Sequence, residues 1–274
     1  MDIDNFIDFK KSFNSLELSN ETIKIIEEHN IKFSEIAIGE FSGRDSAAAI
    51  IKAIENYNID VVLPIVGFTG TDYGDINIFY KNWETTYKRM REINKDSILL
   101  PLHFMFEPEL WHALNGRWIA LLIKKYGFYT PCIGCHSYLR ILRIPLARQL
   151  GNKIICGERL FHDNDFKIDQ TEEVLTAYKK ICEEFNINLL MPIVNIKEGK
   201  KIKEIVGEDW EQGKKQFSCV FSKNYRDVDG KVIYEKDKVV KFLNEYIIPS
   251  SIDIVKEGYK GNFNYIEITK NYII

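Results

Sequence analysis

The sequence lacks the features of a membrane protein and of a secreted protein. None of its apolar runs is long enough to cross a bilayer, although 45% of the residues are hydrophobic. The first residues, Met1-Asp2-Ile3-Asp4, are acidic, and they lack the basic and apolar regions of a signal peptide. Five cysteines in 274 residues do not make the disulfide framework of a secreted protein. We therefore expect a cytoplasmic protein with no membrane partner.

A strong excess of charge of either sign is also missing. Lys and Arg total 37 against 40 Asp and Glu, so composition gives no support to nucleic-acid binding driven by charge alone. No internal repeat and no low-complexity linker divides the chain. The length is enough for one large domain, or for a domain with an appendage.

What is present is an alternation of apolar runs and helical patterns. Short helical stretches separate five runs that are rich in β-branched residues, and units of strand, helix and strand form parallel sheets. The sequence thus predicts an α/β fold with a doubly wound, mainly parallel five-stranded sheet and with N- and C-terminal additions. The five predicted strands are 36–41, 60–66, 97–102, 153–157 and 187–193.

The ends of the chain carry no chemical motif. We expect residues 1–34 to form an N-terminal cap and residues 226–274 to form a C-terminal extension. Within the extension, the alternation of Phe263, Tyr265, Ile266 and Ile268 is typical of a strand. The central domain is then 35–225.

The first predicted strand ends at a polar loop, Ser42-Gly43-Arg44-Asp45-Ser46, and an Ala/Ile-rich helical stretch follows at once. A helix N-terminus offers unpaired N–H groups and a positive dipole, the serines add hydroxyl donors, and Gly43 permits close backbone approach. Asp45 suits a phosphate site only if it caps the helix or holds Mg²⁺. The loop therefore indicates either a phosphate site or an ordinary capped turn. It is not a Walker loop, because the Gly-Lys-Ser/Thr ending is missing.

A Cys-x-x-Cys pair, Cys132 and Cys135, follows a proline at a predicted helix start. The pair has a chelating spacing, and the helix dipole is expected to lower the pKa of both thiols. Zinc, iron–sulfur, redox chemistry and chance all fit such a pair. A metal site needs further ligands, for which His136 and Cys219 are the candidates, whereas Cys156 is expected in the core.

Two further polar loops follow predicted strands, at the sheet edge where doubly wound folds bind ligands. The loop that contains Thr69 follows the second strand and fits either a functional loop or a glycine-rich turn. The loop that begins at Gly157 follows the fourth strand and contains His162. It fits a nucleotide site and a surface turn equally well.

The residues Ser42-Gly43-Arg44-Asp45-Ser46 resemble the Ser-Gly-Gly-x-Asp-Ser signature of the PP-loop ATP pyrophosphatases, with Arg44 where the short form skips or replaces a glycine. The order of this loop, the Cys-x-x-Cys pair and one later cysteine resembles the iron–sulfur tRNA thiolation enzymes of that superfamily, the 2-thiocytidine and 2-thiouridine synthetases. The likeness covers roughly residues 35 to 220. It implies an adenine nucleotide alpha-hydrolase-like fold, with residues 35–225 as the PP-loop domain.

The resemblance also implies an activity, that of an ATP-dependent sulfurtransferase that forms AMP and pyrophosphate. ATP adenylates a carbonyl oxygen of a tRNA base or of another small acceptor. Sulfur from a separate donor, held on a [4Fe–4S] cluster, then replaces the oxygen. The implied catalytic residues are Asp45, Cys132 and Cys135. The implied cluster ligands are Cys132, Cys135 and Cys219. The implied residues for ATP and Mg²⁺ are Phe41, Ser42, Gly43, Arg44, Asp45, Ser46, Thr69 and Gly157.

Two alternatives stay open. A PP-loop adenylating ligase would use Cys132 and Cys135 in a structural zinc site. A nucleotide-binding subunit of a larger tRNA-modification complex would bind ATP without turnover. A homodimer is one option for the assembly.

Overall fold

A computed structural model of the chain describes residues 3–163, 165–207, 210 and 217–274. Residues 1–2, 164, 208–209 and 211–216, which fall in the predicted cap and central domain, lie outside the described residues. In the part of the chain that is described, no helix is both long and apolar enough to cross a membrane.

The apolar runs form a parallel β-sheet. Seven of the described strands belong to it, in the order β1-β6-β3-β2-β7-β8 with β5 also beside β3, and β4 and β9 form a separate antiparallel pair. The strands are β1 (Phe6–Ile7), β2 (Ile36–Glu40), β3 (Val61–Phe68), β4 (Asp72–Tyr73), β5 (Ile98–Leu99), β6 (His103–Phe106), β7 (Lys153–Ile155), β8 (Asn188–Leu190) and β9 (Ser218–Cys219). The chain winds outward from β2 in both directions, first through β3 to β6 and then through β7 to β8. This is the doubly wound topology.

The predicted α/β fold with a doubly wound parallel sheet is confirmed. The sheet is wider than the five predicted strands for two reasons. The third predicted strand, 97–102, forms only the short strand β5, and β6 is an additional strand that begins after Pro101, which has no N–H for a ladder hydrogen bond. Phe6 and Ile7 of the predicted cap add an edge strand in parallel register with β6.

Helices cover both faces of the sheet. The helices are α1 (Asn20–Glu28), α2 (Arg44–Tyr57), α3 (Asn77–Ile93), α4 (Pro108–Trp111), α5 (Ile119–Tyr126), α6 (Pro131–Ala147), α7 (Glu172–Glu183), α8 (Gly199–Val206), α9 (Lys236–Phe242), α10 (Ile248–Tyr259) and α11 (Tyr265–Lys270). Alternate residues of a strand point to opposite faces. Accordingly Ala37 packs with α2, α3 and α8 in one apolar cluster, while Ile36 and Ile38 pack with α6, α7 and α10 in another.

The prediction of a strand at Phe263 to Ile268 is wrong, because this segment enters helix α11. The Asn264 side chain caps the helix by accepting a hydrogen bond from the backbone N–H of Glu267 at 3.4 Å. Tyr265 and Ile268, three residues apart, then bury the same face of the helix. The sequence contains both the three-residue spacing of a helix and the two-residue alternation of a strand. Packing against the core favours the helix.

Candidate functional site

The carboxyl ends of β2, β3 and β7 open onto one cavity of about 770 Å³. This volume lies within the range of about 300–1,000 Å³ that is typical of small-molecule sites. The structure brings together in its lining all the residues predicted for ATP and for a metal cluster. These are Phe41, Ser42, Gly43, Arg44, Asp45, Ser46, Thr69, Cys132, Cys135, Gly157 and Cys219.

The loop before α2 is closed by the hydroxyl group of Ser46. Its oxygen accepts hydrogen bonds from the backbone N–H groups of Ser42, at 2.9 Å, and of Gly43, at 3.1 Å. The hydroxyl donates in turn to the carbonyl oxygen of Gly43 at 2.8 Å. A phosphate group in this loop would therefore either replace the Ser46 oxygen as the acceptor for these N–H groups or accept hydrogen bonds from the N–H groups of the first turn of α2.

Two arginines hold Asp45, whereas Gly43 is the N-cap residue of α2. The carboxylate oxygens of Asp45 lie 3.3 Å from Nε of Arg44 and 3.0 Å from Nε of Arg159. The Arg159 side chain is only 3% exposed, so this second ion pair is largely shielded from water. The two guanidinium groups offset the negative charge that would otherwise repel a phosphate at the helix N-terminus.

Gly157 brings the end of β7 against this loop. A Cβ atom at position 157 would lie 2.6 Å from the backbone nitrogen of Ser46 and 2.7 Å from the carbonyl carbon of Asp45. No larger residue fits there without a shift of the backbone. The predicted site loops after β2 and β7 are therefore in direct contact.

The Cys-x-x-Cys pair lies in the first turn and a half of α6, as predicted. The Thr130 side chain caps this helix by accepting from the backbone N–H of Cys132 at 3.3 Å. The Cys135 sulfur accepts a hydrogen bond from the indole Nε1 of Trp111 at 3.3 Å. Cys156, in contrast, is fully buried, as its apolar setting predicted.

Cys219 reaches the cavity because β9 pairs with β4, where Cys219 lies opposite Asp72. The Cys219 sulfur lies 3.3 Å from the hydroxyl oxygen of Thr71 and accepts from the backbone N–H of Phe221 at 3.4 Å. The loop that contains Thr69 therefore does more than line the cavity. It holds the distant cysteine at the same site as the Cys-x-x-Cys pair.

Burial, rather than the helix dipole, determines the direction in which the pKa values of the two thiols shift. It raises the pKa of Cys132 to about 12 and also raises the pKa of Cys135 above its ordinary value. The expectation that the helix N-terminus lowers both values is wrong, because removing a thiolate from water costs more than the dipole returns. Burial therefore favours the neutral thiol at both positions, and a nearby cation would favour the thiolate.

His136, one of the two candidates for a further ligand, lies between two carboxylates. Its Nδ1 lies 2.9 Å from Oε1 of Glu158, and its Nε2 lies 3.3 Å from Oδ2 of Asp169. In the described part of the chain, this is the only set of three metal-ligating side chains whose donor atoms all lie within 4.8 Å of one another. The sulfurs of the three cysteines are therefore too far apart to bind one zinc ion together, because a tetrahedral zinc site holds its sulfur ligands about 4 Å from one another.

A buried ion-pair network joins the cysteine helix to the nucleotide loop. Arg140 of α6 pairs with Glu40, at 2.9 Å, and with Glu158, and His136 extends the network from the other side of Glu158. Burial alone would raise the pKa of Glu158, but the charges of His136 and Arg140 outweigh it and lower the pKa to about 2. Burial likewise opposes the charge of His136, yet Glu158 and Asp169 raise its pKa.

Comparison with known proteins gives a relative that matches almost the whole chain. No model of a known protein family matches it. The chain is 70% identical over 269 residues to the uncharacterized protein MJ0009 of Methanocaldococcus jannaschii, and the match covers 98% of this chain and 97% of that protein. The chain belongs to the MJ0009 family. Membership assigns it no activity.

A solved structure of a 4-thiouridine synthetase with RNA and bound ATP is similar to the MJ0009-family chain, with a TM-score of 0.49 and 17% sequence identity. The match covers 82% of this chain and 53% of that chain, so the MJ0009-family chain spans about half the length of the synthetase. A likeness of this extent assigns neither a reaction nor a substrate to the family.

Sequence reasoning missed the acidic members of the network in the MJ0009-family chain. Glu40 ends β2 and Glu158 lies three residues beyond the end of β7, and these strands are neighbours in the sheet. Carboxyl ends of adjacent parallel strands meet at one edge. A carboxylate at or just beyond the end of two neighbouring strands, with Arg140 on the helical pattern that precedes the second of them, was the signal that could have found them.

Proposed function

We propose that this MJ0009-family chain is an ATP-dependent enzyme of the PP-loop ATP pyrophosphatase type that exchanges a carbonyl oxygen for sulfur. The observation that carries the proposal is the single cavity, which contains both a loop suited to phosphate and three cysteines. The acceptor is a tRNA base or another small molecule, and a separate donor supplies sulfur. The division of the chain into 1–34, 35–225 and 226–274 belongs to this proposal.

The triphosphate of ATP would lie at the N-terminus of α2, a helix of 14 residues. Ser42, Gly43 and Ser46 would supply hydrogen-bond donors to it. Arg44 and Arg159, which now pair with Asp45, are cations within reach of the same loop. Asp45 would hold Mg²⁺ together with phosphate oxygens, the coordination that this ion favours in nucleotide sites.

The chemistry divides into two balanced steps. The acceptor's carbonyl oxygen attacks the α-phosphorus of ATP, a bond to the bridging oxygen breaks, and pyrophosphate leaves at the loop. A sulfur nucleophile then adds to the activated carbon, and AMP departs with the original oxygen. The positive groups of the loop stabilise the charge that develops on pyrophosphate in the first step.

Cys132, Cys135 and Cys219 fit a [4Fe–4S] cluster as its protein ligands. All three line one cavity, and the sulfurs of Cys135 and Cys219 accept hydrogen bonds from N–H groups of Trp111 and Phe221, as cluster sulfurs commonly do. Three protein ligands leave one iron without a side chain. When bound, the cluster would carry the sulfur that is transferred.

ATP binding tests the nucleotide half of the proposal. We expect Ser46→Ala to weaken the binding of Mg²⁺–ATP about tenfold or more in calorimetric titration, because the hydroxyl both shapes the loop and donates to phosphate. Ser15→Ala removes a hydroxyl that lies outside the cavity, bonded to the carbonyl of Lys11, and should bind ATP like the wild type.

Pyrophosphate release from ATP, with sulfide and bulk RNA present, then separates the alternatives. Release that Asp45→Ala abolishes supports the enzyme. Unchanged release in that variant contradicts the assignment of the loop. ATP binding with no release in the wild type favours the non-catalytic nucleotide-binding subunit.

A further inference from the structure

Two parallel aromatic rings lie at the cysteine end of the cavity. Trp111 ends α4 and Phe221 follows β9, and their ring planes are 10° apart with centroids separated by 6.3 Å. Both side chains line the cavity. Phe221 is nevertheless 41% exposed, and its neighbour Val220 is 65% exposed. The two rings are therefore not simply part of the core, because the cavity leaves aromatic surface open.

Each aromatic residue is tied to a cysteine sulfur. The indole Nε1 of Trp111 donates to the Cys135 sulfur at 3.3 Å, and the backbone N–H of Phe221 donates to the Cys219 sulfur at 3.4 Å. Neither bond uses the face of a ring. A flat molecule that lies against these rings thus has its edge beside the sulfurs.

We propose that Trp111 and Phe221 form the stacking surface for the acceptor, and that the acceptor is a planar aromatic ring. The inference rests on the proposed function, since it places the carbonyl group of such a ring at the site of sulfur exchange. Neutral aromatic faces favour stacking with the faces of bases over contact with flexible or charged groups. The ring belongs either to a free nucleoside or to an unpaired nucleotide of RNA.

The test titrates uridine and cytidine into the full chain while a non-hydrolysable ATP analogue fills the nucleotide loop, with ribose as the non-aromatic probe. We expect Phe221→Ala to raise the Kd for both nucleosides about fivefold to tenfold, as loss of one stacking face does elsewhere. Phe221→Tyr keeps the ring and should bind like the wild type. Phe161→Ala is the matched control, because Phe161 is also 41% exposed but lies outside the cavity lining.

Equal nucleoside affinity in Phe221→Ala, Phe161→Ala and the wild type would overturn the inference, and so would a wild type that binds neither nucleoside. Binding of the ATP analogue is measured separately. A protein that does not bind the analogue counts against the proposed function and not against the stacking surface. Hexauridylate distinguishes the two sources. Tighter binding than uridine, with the same dependence on Phe221, assigns the ring to RNA, and equal affinity assigns it to a free nucleoside.

Discussion

Gly157 shows how much of this site depends on single residues. Its Cα faces the backbone of Ser46 and Asp45 so closely that a methyl group would stand 2.6 Å from a peptide nitrogen. The loop after β7 can pack on the nucleotide loop only because this position has no side chain. The geometry of the phosphate site thus depends on a residue that has no polar group of its own.

We expect Gly157→Ala to destabilise the protein by about 1–3 kcal/mol, the usual cost of overpacking, and to weaken ATP binding, because the backbone of Asp45 and Ser46 must move. Thermal unfolding followed by circular dichroism measures the first effect. Gly43→Ala is the matched control for stability, since a Cβ at position 43 meets no atom within 4 Å. Equal thermal midpoints for the two variants would contradict the packing account.

At this scale the sequence predicted which residues line the cavity better than it predicted what they contact. The loop and the cysteines follow from local patterns and their order along the chain. The partnership of Asp45 with Arg159 joins residues 114 positions apart, which no local pattern contains. The prediction for the thiol pKa values failed in a similar way, because burial is a property of the folded chain.

The network of Glu40, Arg140, Glu158 and His136 belongs to the scale of elements, because it connects the ends of β2 and β7 with α6. Glu158 is the central carboxylate and is 5% exposed as a side chain. Its ion pairs fix the helix that carries Cys132 and Cys135 relative to the nucleotide loop.

We expect Glu158→Gln to lower the free energy of unfolding by about 3–5 kcal/mol near neutral pH, because Arg140 is left with an incompletely compensated buried charge. Chemical denaturation measures this value. Glu257→Gln breaks an exposed pair with Lys260 and should give no measurable change. Similar losses in both variants would contradict the role given to the buried network.

The difference in stability between the wild type and Glu158→Gln should depend on pH. The pKa of Glu158 falls from an ordinary 4.5 to about 2, so its stabilisation is complete above about pH 4.5 and is lost as the pH falls toward 2. The pKa of His136 is raised from 6.5, so its stabilisation is complete below 6.5 and is lost as the pH rises through the raised value. The gap between wild type and Glu158→Gln should therefore be widest between about pH 4.5 and 6.5. A gap that grows below pH 4 would contradict this sign.

The elements themselves were largely predictable, because β-branched runs and helical spacing report burial directly. The exceptions have local causes. Pro101 ends the third predicted strand early and separates β5 from β6, and a cap at Asn264 turns an alternating stretch into helix α11. The edge strand β1 was not predictable, since two residues carry no periodicity and only pairing with β6 defines them.

For the whole molecule, the winding of the sheet explains why one cavity holds every predicted site residue. The chain leaves β2 in both directions, so loops that are distant in sequence meet where the carboxyl ends of β2, β3 and β7 are exposed. The pairing of β9 with β4 adds Cys219 to this edge. A phosphate-binding loop and a set of thiols become neighbours through topology rather than through sequence proximity.

The measurement that tests the central claim most directly is the metal content and visible spectrum of the protein after strictly anaerobic purification. Wild type should be brown, with about four irons per chain, as a [4Fe–4S] cluster requires. Cys132→Ala and Cys219→Ala should lose the colour, whereas Cys182→Ala, a change in the buried core of α7, should keep it. A colourless protein that holds zinc, or no metal after cluster reconstitution, would contradict the sulfur-transfer account.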